Sequence, residues 1–240
     1  MPPRSIAERM TRRPATGPSA PAQVDHTDLP TRAQALPVST RYLRWGGKAI
    51  FDRVAAVLLL LLLLPLIVSV ALVVRVQLGR GVLYRQRRVG RDGKVFDLYK
   101  FRTMEGDRRR ADGSVAPTEE RRVSHKRDDD PRHTDLGRLL RRLSLDELPQ
   151  LGHVLVGQMS LVGPRPELET VVQRYGLWDH PRHLVKPGIT GVWQVSSARA
   201  QLLHEGVSLD LDYLEGGITF RRDLSILWRT VGVVARRSGA

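Results

Sequence analysis

The chain has 240 residues, room for one sizeable core or two small domains, and sets 39 Lys and Arg against 25 Asp and Glu for a net charge of +14. That excess calls for an anionic partner, whether nucleic acid, an acidic membrane surface or a phosphorylated substrate, and says nothing of fold. Cysteine is absent, which excludes disulfides, thiolate nucleophiles and cysteine-bound zinc; the seven histidines show no metal-binding helical spacing, so any metal is expected to be a hard cation on carboxylate oxygens.

Residues 1–40 are rich in Pro, Ala, Thr, Ser and Arg with little apolar periodicity, and are expected to form a disordered basic tail. No apolar core follows the early arginines, so a signal peptide is not expected. Val54 to Val74 is a nearly unbroken apolar run that includes seven leucines from Leu58 to Leu64, long enough to cross a bilayer core. A buried globular helix is the alternative, but the length of the run and its seven consecutive leucines with no polar face disfavour it. Basic residues flank it on both sides: Arg41, Arg44, Lys48 and Arg53 before, Arg75, Arg80, Arg85, Arg87 and Arg88 after. A simple crossing would leave one basic flank on the wrong side, and Pro65 near the middle removes a backbone donor and bends the helix. The expectation is a re-entrant helix-break-helix hairpin over residues 41–78, both ends cytoplasmic, its flanks also drawn to anionic head groups.

From Gly81 to Met104, apolar and basic residues alternate around Asp92-Gly93, the pattern of a short β-hairpin with cations along one face. Residues 105–130 read as a solvated loop. Leu136, Leu139, Leu140 and Leu143 recur at helical spacing, with arginines on the opposite face. Next comes Ser144-Leu145-Asp146-Glu147-Leu148-Pro149-Gln150-Leu151, two adjacent carboxylates between apolar residues. If the segment packs, they need cations or a metal, and Arg138, Arg141 and Arg142 are close in sequence. The plainer alternative is an acidic pair opening a helix capped by Ser144.

In Gly163-Pro164-Arg165-Pro166 two prolines hold one arginine, a preorganisation suited to bidentate phosphate contact, though a plain loop arginine has the same sequence. Lys186-Pro187-Gly188-Ile189-Thr190-Gly191 is a second rigid turn, whose glycines let backbone N–H groups approach a ligand. Leu209–Tyr213 and Leu224–Val234 read as helices. The second carries Trp228 among apolar residues and nearby arginines, which fits an interfacial helix and core packing equally.

KFRTM at 100–104, DPR and a Thr at 130–134, LRRLSLDELPQL at 140–151, MSLVGPRP at 159–166, VKPGITG at 185–191 and Asp210-x-x-Tyr213 occur in that order. Together they resemble the bacterial sugar transferases of the monotopic phosphoglycosyl transferase family, over roughly residues 45 to 235. The resemblance implies transfer of a phospho-sugar from a nucleotide sugar, usually a UDP-sugar, to a polyprenyl phosphate such as undecaprenyl phosphate, with release of UMP, to start exopolysaccharide or other glycan assembly. It implies that Asp146 is a covalent nucleophile with Glu147 as partner, that Mg²⁺ is the cofactor with Asp146 among its ligands, and that Lys100, Arg102, Arg141, Arg165, Arg199 and Asp210 surround the substrate. A carboxylate attacking a diphosphate needs such cations to overcome repulsion between anions.

The expected architecture is α+β and mainly helical: the 1–40 tail, the membrane hairpin over 41–78, and over 79–240 a compact cytoplasmic catalytic domain with a short β-hairpin and amphipathic interfacial helices. The expected partners are the nucleotide-sugar donor, the polyprenyl phosphate acceptor and membrane lipid at the plasma membrane, with no nucleic acid; homo-oligomerisation stays open. Three positions depart from the family pattern. Leu64 precedes Pro65 where Ser is frequent, His153 stands where Asn is frequent, and Val195-Ser196-Ser197-Ala198-Arg199 lacks the usual Gly before its arginine. Without the extra membrane helices of larger relatives, the chain resembles the minimal catalytic form. The contrasting reading is a membrane-tethered basic adaptor for nucleic acid or acidic lipid, which charge alone supports but which leaves the carboxylate pair and the proline-framed arginine unexplained.

Overall fold

The computed structural model describes residue 42 and residues 46–105, 132–174, 176–196 and 207–236. The expected tail over 1–40, the loop over 106–130, Ser197, Ala198 and Arg199 lie outside them. The apolar run forms helix α1, Gly47–Leu78, 32 residues between two left-handed glycines, Gly46 and Gly79. At 1.5 Å per residue it is roughly 48 Å long, and it is the one described helix long and apolar enough to cross a membrane. The expected break is not seen: α1 is a single helix with Pro65 inside it. Pro65 cannot donate to the carbonyl one turn back, a loss that a long helix tolerates without unwinding. The Ser69 hydroxyl donates to the Pro65 carbonyl at 2.8 Å, so it supplements the next turn rather than replacing the missing bond.

Strand β1 (Leu83–Val89) pairs antiparallel with β2 (Val95–Phe101), Leu83 opposite Phe101 and Val89 opposite Val95. The hairpin read around Asp92-Gly93 is thus present; its turn is a 3₁₀ stretch in which both residues have positive φ. Then follow helix α2 (Asp135–Arg142), a 3₁₀ turn (Leu145–Glu147), helix α3 (Gln150–Leu155), strands β3 (Ser160–Val162) and β4 (Glu167–Leu168), and helix α4 (Glu169–Arg174). Two 3₁₀ turns, strand β5 (Gly188–Thr190) and helices α5 (Val192–Val195), α6 (Val207–Glu215) and α7 (Phe220–Ala235) complete the described chain. The fold is mixed α/β and mostly helical. Its sheets are small: β4 joins the free edge of β1 in the order β2-β1-β4, and β3 and β5 form a separate parallel pair.

The main core gathers Leu98 of β2, Leu151 and Val154 of α3, Met159, Leu161 of β3, Tyr213 and Leu214 of α6, Ile218 and Ile226 around Ala56 of α1. A second cluster packs Val70, Val74 and Leu78, the other end of α1, against Phe101 and Leu140. Between Ala56 and Val70 no residue of α1 is buried. The helix is therefore anchored to the domain at both ends; along its middle one face, Leu59, Leu60, Leu63 and Ile67, stays half-buried against the two clusters, while Val57, Leu58, Leu61, Leu62, Leu64, Leu66 and Val68 are exposed. Lys48, expected as a free basic flank, is instead buried: its Nζ lies 2.5 Å from Asp223 Oδ2, and Asp223 also accepts from the Tyr213 hydroxyl at 2.7 Å. A buried ammonium requires such a counter-charge, and this one ties the start of α1 to α6 and α7.

Candidate active site

The Thr134 hydroxyl accepts from the Gly137 N–H at 2.9 Å and so caps α2. Gly137 lets this helix press against the end of β2, since a Cβ there would lie 1.8 Å from the Thr103 carbonyl oxygen. After α2 the chain turns sharply at Ser144, which has φ 57 and makes no capping hydrogen bond. The plainer alternative, a helix capped by Ser144 and opened by the acidic pair, does not hold. Asp146 and Glu147 occupy their own 3₁₀ turn and α3 starts only at Gln150. A side chain held in the left-handed region is strained by roughly 1 kcal/mol or more, and such strain gathers where the chain must aim a functional group.

That aim brings together residues from four elements. Glu147 Oε1 accepts from Lys100 Nζ of β2 and from Arg165 Nη2 of the Pro-Arg-Pro loop, both at 2.7 Å. Burial pushes the Glu147 carboxyl up, but Arg165 and Lys100 more than offset it and hold the group well below the usual carboxylate range. Burial likewise lowers the Lys100 ammonium against the pull of Glu147, whereas the same glutamate raises Arg165. Asp146 is buried at 8 % exposure and has no hydrogen bond among the described residues. Burial raises its carboxyl to about 6, opposed chiefly by the charge of Lys100 and aided by that of Glu147, with Arg165 and Arg141 lowering it further. Of two adjacent carboxylates, one is locked as an anion between two cations and the other is held without a hydrogen bond.

Arg141, on α2, sends Nη1 to the Thr103 hydroxyl at 3.2 Å while its charge acts on Asp146. Lys100, Arg141 and Arg165 thus converge on the pair. Arg102 does not: it lies one residue beyond β2, and its guanidinium binds the carbonyls of Arg80 at 2.6 Å and Met104 at 3.3 Å, and that of Leu78 at the open end of α1. Asp210 stands behind the site. It is buried, its carboxyl raised by burial, and Oδ2 lies 2.5 Å from Arg182 Nη2, which also donates to the Arg165 carbonyl at 3.1 Å. Arg199 lies outside the described residues.

Two arginines hold the loop that presents Arg165: Arg182, which no sequence motif marked, and Arg88, read from sequence only as a basic flank. Arg182 binds the loop backbone from behind, and Arg88 Nη1 donates to the Pro166 carbonyl at 2.8 Å, with burial lowering its guanidinium to about 10. Arg88 is one of several cations in β1 and only its partner strand β4 singles it out; Arg182 carries no motif beyond its place before VKPGITG. His153 joins α3 to β2, its Nε2 accepting from the Tyr99 N–H at 3.1 Å while the ring stacks on Tyr99.

Among the described residues no group of three His, Asp or Glu converges to enclose a metal. Mg²⁺ takes one or two carboxylates and shares the oxygens of substrate phosphates, so Asp146, free of hydrogen bonds, is a donor set that fits it.

A family model described as bacterial sugar transferase matches residues 43–237. The chain is 37% identical over 218 residues to the exopolysaccharide production protein ExoY of Sinorhizobium fredii, covering 88% of this chain and 96% of that protein. It is 39% identical over 207 residues to the UDP-galactose-lipid carrier transferase of Erwinia amylovora, and 38% identical over 208 residues to the undecaprenyl-phosphate galactose phosphotransferase of Salmonella typhimurium. In both cases the match covers 84% of this chain and 42% of the relative, so the chain spans less than half the length of these two proteins.

Proposed function

The chain belongs to the bacterial sugar transferase family, and from that premise we propose that it transfers a sugar 1-phosphate from a UDP-sugar to undecaprenyl phosphate, an early step of exopolysaccharide assembly. The observation that carries this reading is the carboxylate pair: Asp146 buried without a hydrogen bond, beside a Glu147 fixed by Lys100 and Arg165. The names of the relatives support the acceptor and, for the Erwinia protein, a UDP donor.

Asp146 Oδ attacks the phosphorus that bears the sugar. The bridging P–O bond breaks, UMP leaves with that oxygen, and the phospho-sugar stays on Asp146. A phosphate oxygen of the polyprenyl phosphate then attacks the same phosphorus, the Asp146 Oδ–P bond breaks, and the carboxylate is restored. Lys100, Arg141 and Arg165 neutralise the approaching phosphates, and Glu147 keeps two of these cations in position before substrate arrives. When bound, Mg²⁺ supplies further neutralisation of the phosphate oxygens, with Asp146 as its protein ligand.

Residues 41–78 are the membrane segment in this reading and residues 79–240 the catalytic domain, on the cytoplasmic face of the plasma membrane. Both ends of α1 pack on the one domain while Val57, Leu58, Leu61, Leu62, Leu64, Leu66 and Val68 between them are exposed, which supports a continuous helix bent at Pro65 that enters and returns on one side. In α7, Phe220, Leu224, Trp228 and Val231 form an exposed apolar stripe, Trp228 at 78 % exposure, while Ile226 is buried. That division favours an interfacial helix over a core one. A nucleic-acid adaptor has only the net charge in its favour.

The test is UMP release from a panel of UDP-sugars with undecaprenyl phosphate and Mg²⁺. Asp146→Asn should abolish turnover and leave membrane association intact; undiminished turnover by that variant removes the mechanism.

A further inference from the structure

Arg53 and Lys186 converge at the opposite end of α3 from the carboxylate pair. Gly157, two residues beyond the last residue of α3, has φ +80, and a Cβ there would lie 3.1 Å from Arg53 Nη2 and 3.4 Å from Lys186 Nζ. Both nitrogens therefore reach over the same bare backbone. Neither side chain has a hydrogen bond or ion pair among the described residues. Burial lowers the Lys186 ammonium, and Arg53, Arg91 and Lys48 lower it further; Asp52 alone opposes them. Asp52 is already engaged by the Leu161 N–H at 3.2 Å and by Lys48 at 3.9 Å, and Arg91 pairs with Asp92 at 3.2 Å.

Capping of α3 does not explain the pair. The last carbonyls of that helix accept from the backbone N–H groups of Val156, Gly157, Gln158 and Met159. Two like charges held together without a counter-ion repel, and only an anion between them reverses the sign. The surroundings are apolar and exposed: Val54, Val57 and Leu58 follow Arg53 on α1, Val156 adjoins Gly157, and Leu184 precedes Lys186. Cations at the edge of an uncovered apolar surface meet a lipid where its phosphate gives way to its acyl chains.

We propose that Arg53 and Lys186, over Gly157, form a binding site for the phosphate of an anionic phospholipid, distinct from the site of sugar transfer. The site rests on the membrane reading above. The acceptor lipid is a poor occupant because its phosphate must reach Asp146, which precedes α3, whereas this pair lies past its end.

The full chain, in mixed detergent micelles, is titrated with phosphatidylglycerol or phosphatidylcholine while its thermal midpoint is followed. The midpoint should rise with phosphatidylglycerol alone. In Arg53→Gln/Lys186→Gln the half-saturating lipid should increase on the order of tenfold, the scale of one charge-assisted hydrogen bond, and Arg53→Lys/Lys186→Arg should restore the response. An unchanged response in the glutamine variant overturns the proposal. So does an intact response accompanied by a raised KM for undecaprenyl phosphate, which assigns the pair to the acceptor. Should the double variant not fold, each single glutamine variant is read for a partial loss, and no loss in either is equally decisive. Carbonate extraction of the wild type from membranes is scored separately: release counts against the membrane reading, while the micelle titration still decides the lipid site.

Discussion

Asp146 and Glu147 share a turn, yet burial lifts the first to about 6 while two cations hold the second far below its ordinary range. The difference lies in the two cations: the charges of Arg165 and Lys100 act directly on Glu147, which also accepts a hydrogen bond from each, while Asp146 accepts none among the described residues. As a nucleophile Asp146 must be ionised, so at fixed Mg²⁺ kcat/KM should rise about tenfold per pH unit below 6 and level off above it. A profile flat from pH 5 to 8 would speak against an ionising Asp146. The linkage has a definite sign. A carboxyl raised on folding loses its proton first in the unfolded chain, so its burial costs nothing at low pH and progressively destabilises the metal-free protein as pH climbs to about 6. Asp146→Asn should therefore raise the thermal midpoint of the metal-free protein more at pH 7.5 than at pH 5, by the equivalent of about 1–1.5 kcal/mol. The pair itself was legible because carboxylates among apolar residues demand cations, but of the arginines nearby in sequence Arg138 pairs with Asp135, and Lys100 and Arg165, which bind Glu147, were marked by their motifs alone. Which of two neighbours they would bind was not legible, since adjacent residues differ only in direction once the turn at Ser144 has formed.

Arg102 belongs to the same motif as Lys100, and the sequence reading put both on substrate phosphates. At the level of the elements they part: β2 ends at Phe101, Lys100 faces the carboxylates, and Arg102 faces the last turn of α1, whose carbonyls lack helical partners. Arg102→Ala should destabilise the fold by about 1–3 kcal/mol, the scale of losing charged hydrogen bonds, and leave the KM for the sugar donor unchanged; a raised KM without loss of stability would restore its expected role. Helix positions followed from periodicity, as α2 and α7 illustrate, and the hairpin followed from alternation about Asp92-Gly93. The parallel pairing of β3 with β5 could not be read, because each is only three residues long and the contact bridges 25 or more positions of chain. The uninterrupted course of α1 through Pro65 was likewise misjudged: one missing donor weakens a long helix locally but does not end it.

The same helix organises the whole molecule. Its first turns enter the main core and close on the Lys48–Asp223 pair, its last turns close on Phe101 and Leu140, and the outer face of its middle, like the stripe on α7, is apolar and exposed. Reporters fused before Trp45 and after the C-terminus should consequently be found on the same side of the membrane; opposite sides would mean that α1 crosses. The sequence by itself determined that a basic chain would join an apolar segment to a domain carrying two carboxylates and fixed arginines, because hydrophobic length, charge sign and turn residues act locally and do not depend on what lies across the fold. Only the tertiary structure decided that Lys48 is buried rather than a flank, that Arg182 and Arg88 brace Arg165, that Asp210 stands behind the site, and that Asp146 is left without a hydrogen bond. Each of those is a matter of which distant groups share one enclosed space, and the energy of a buried charge depends on its neighbours in space rather than on its neighbours in the chain.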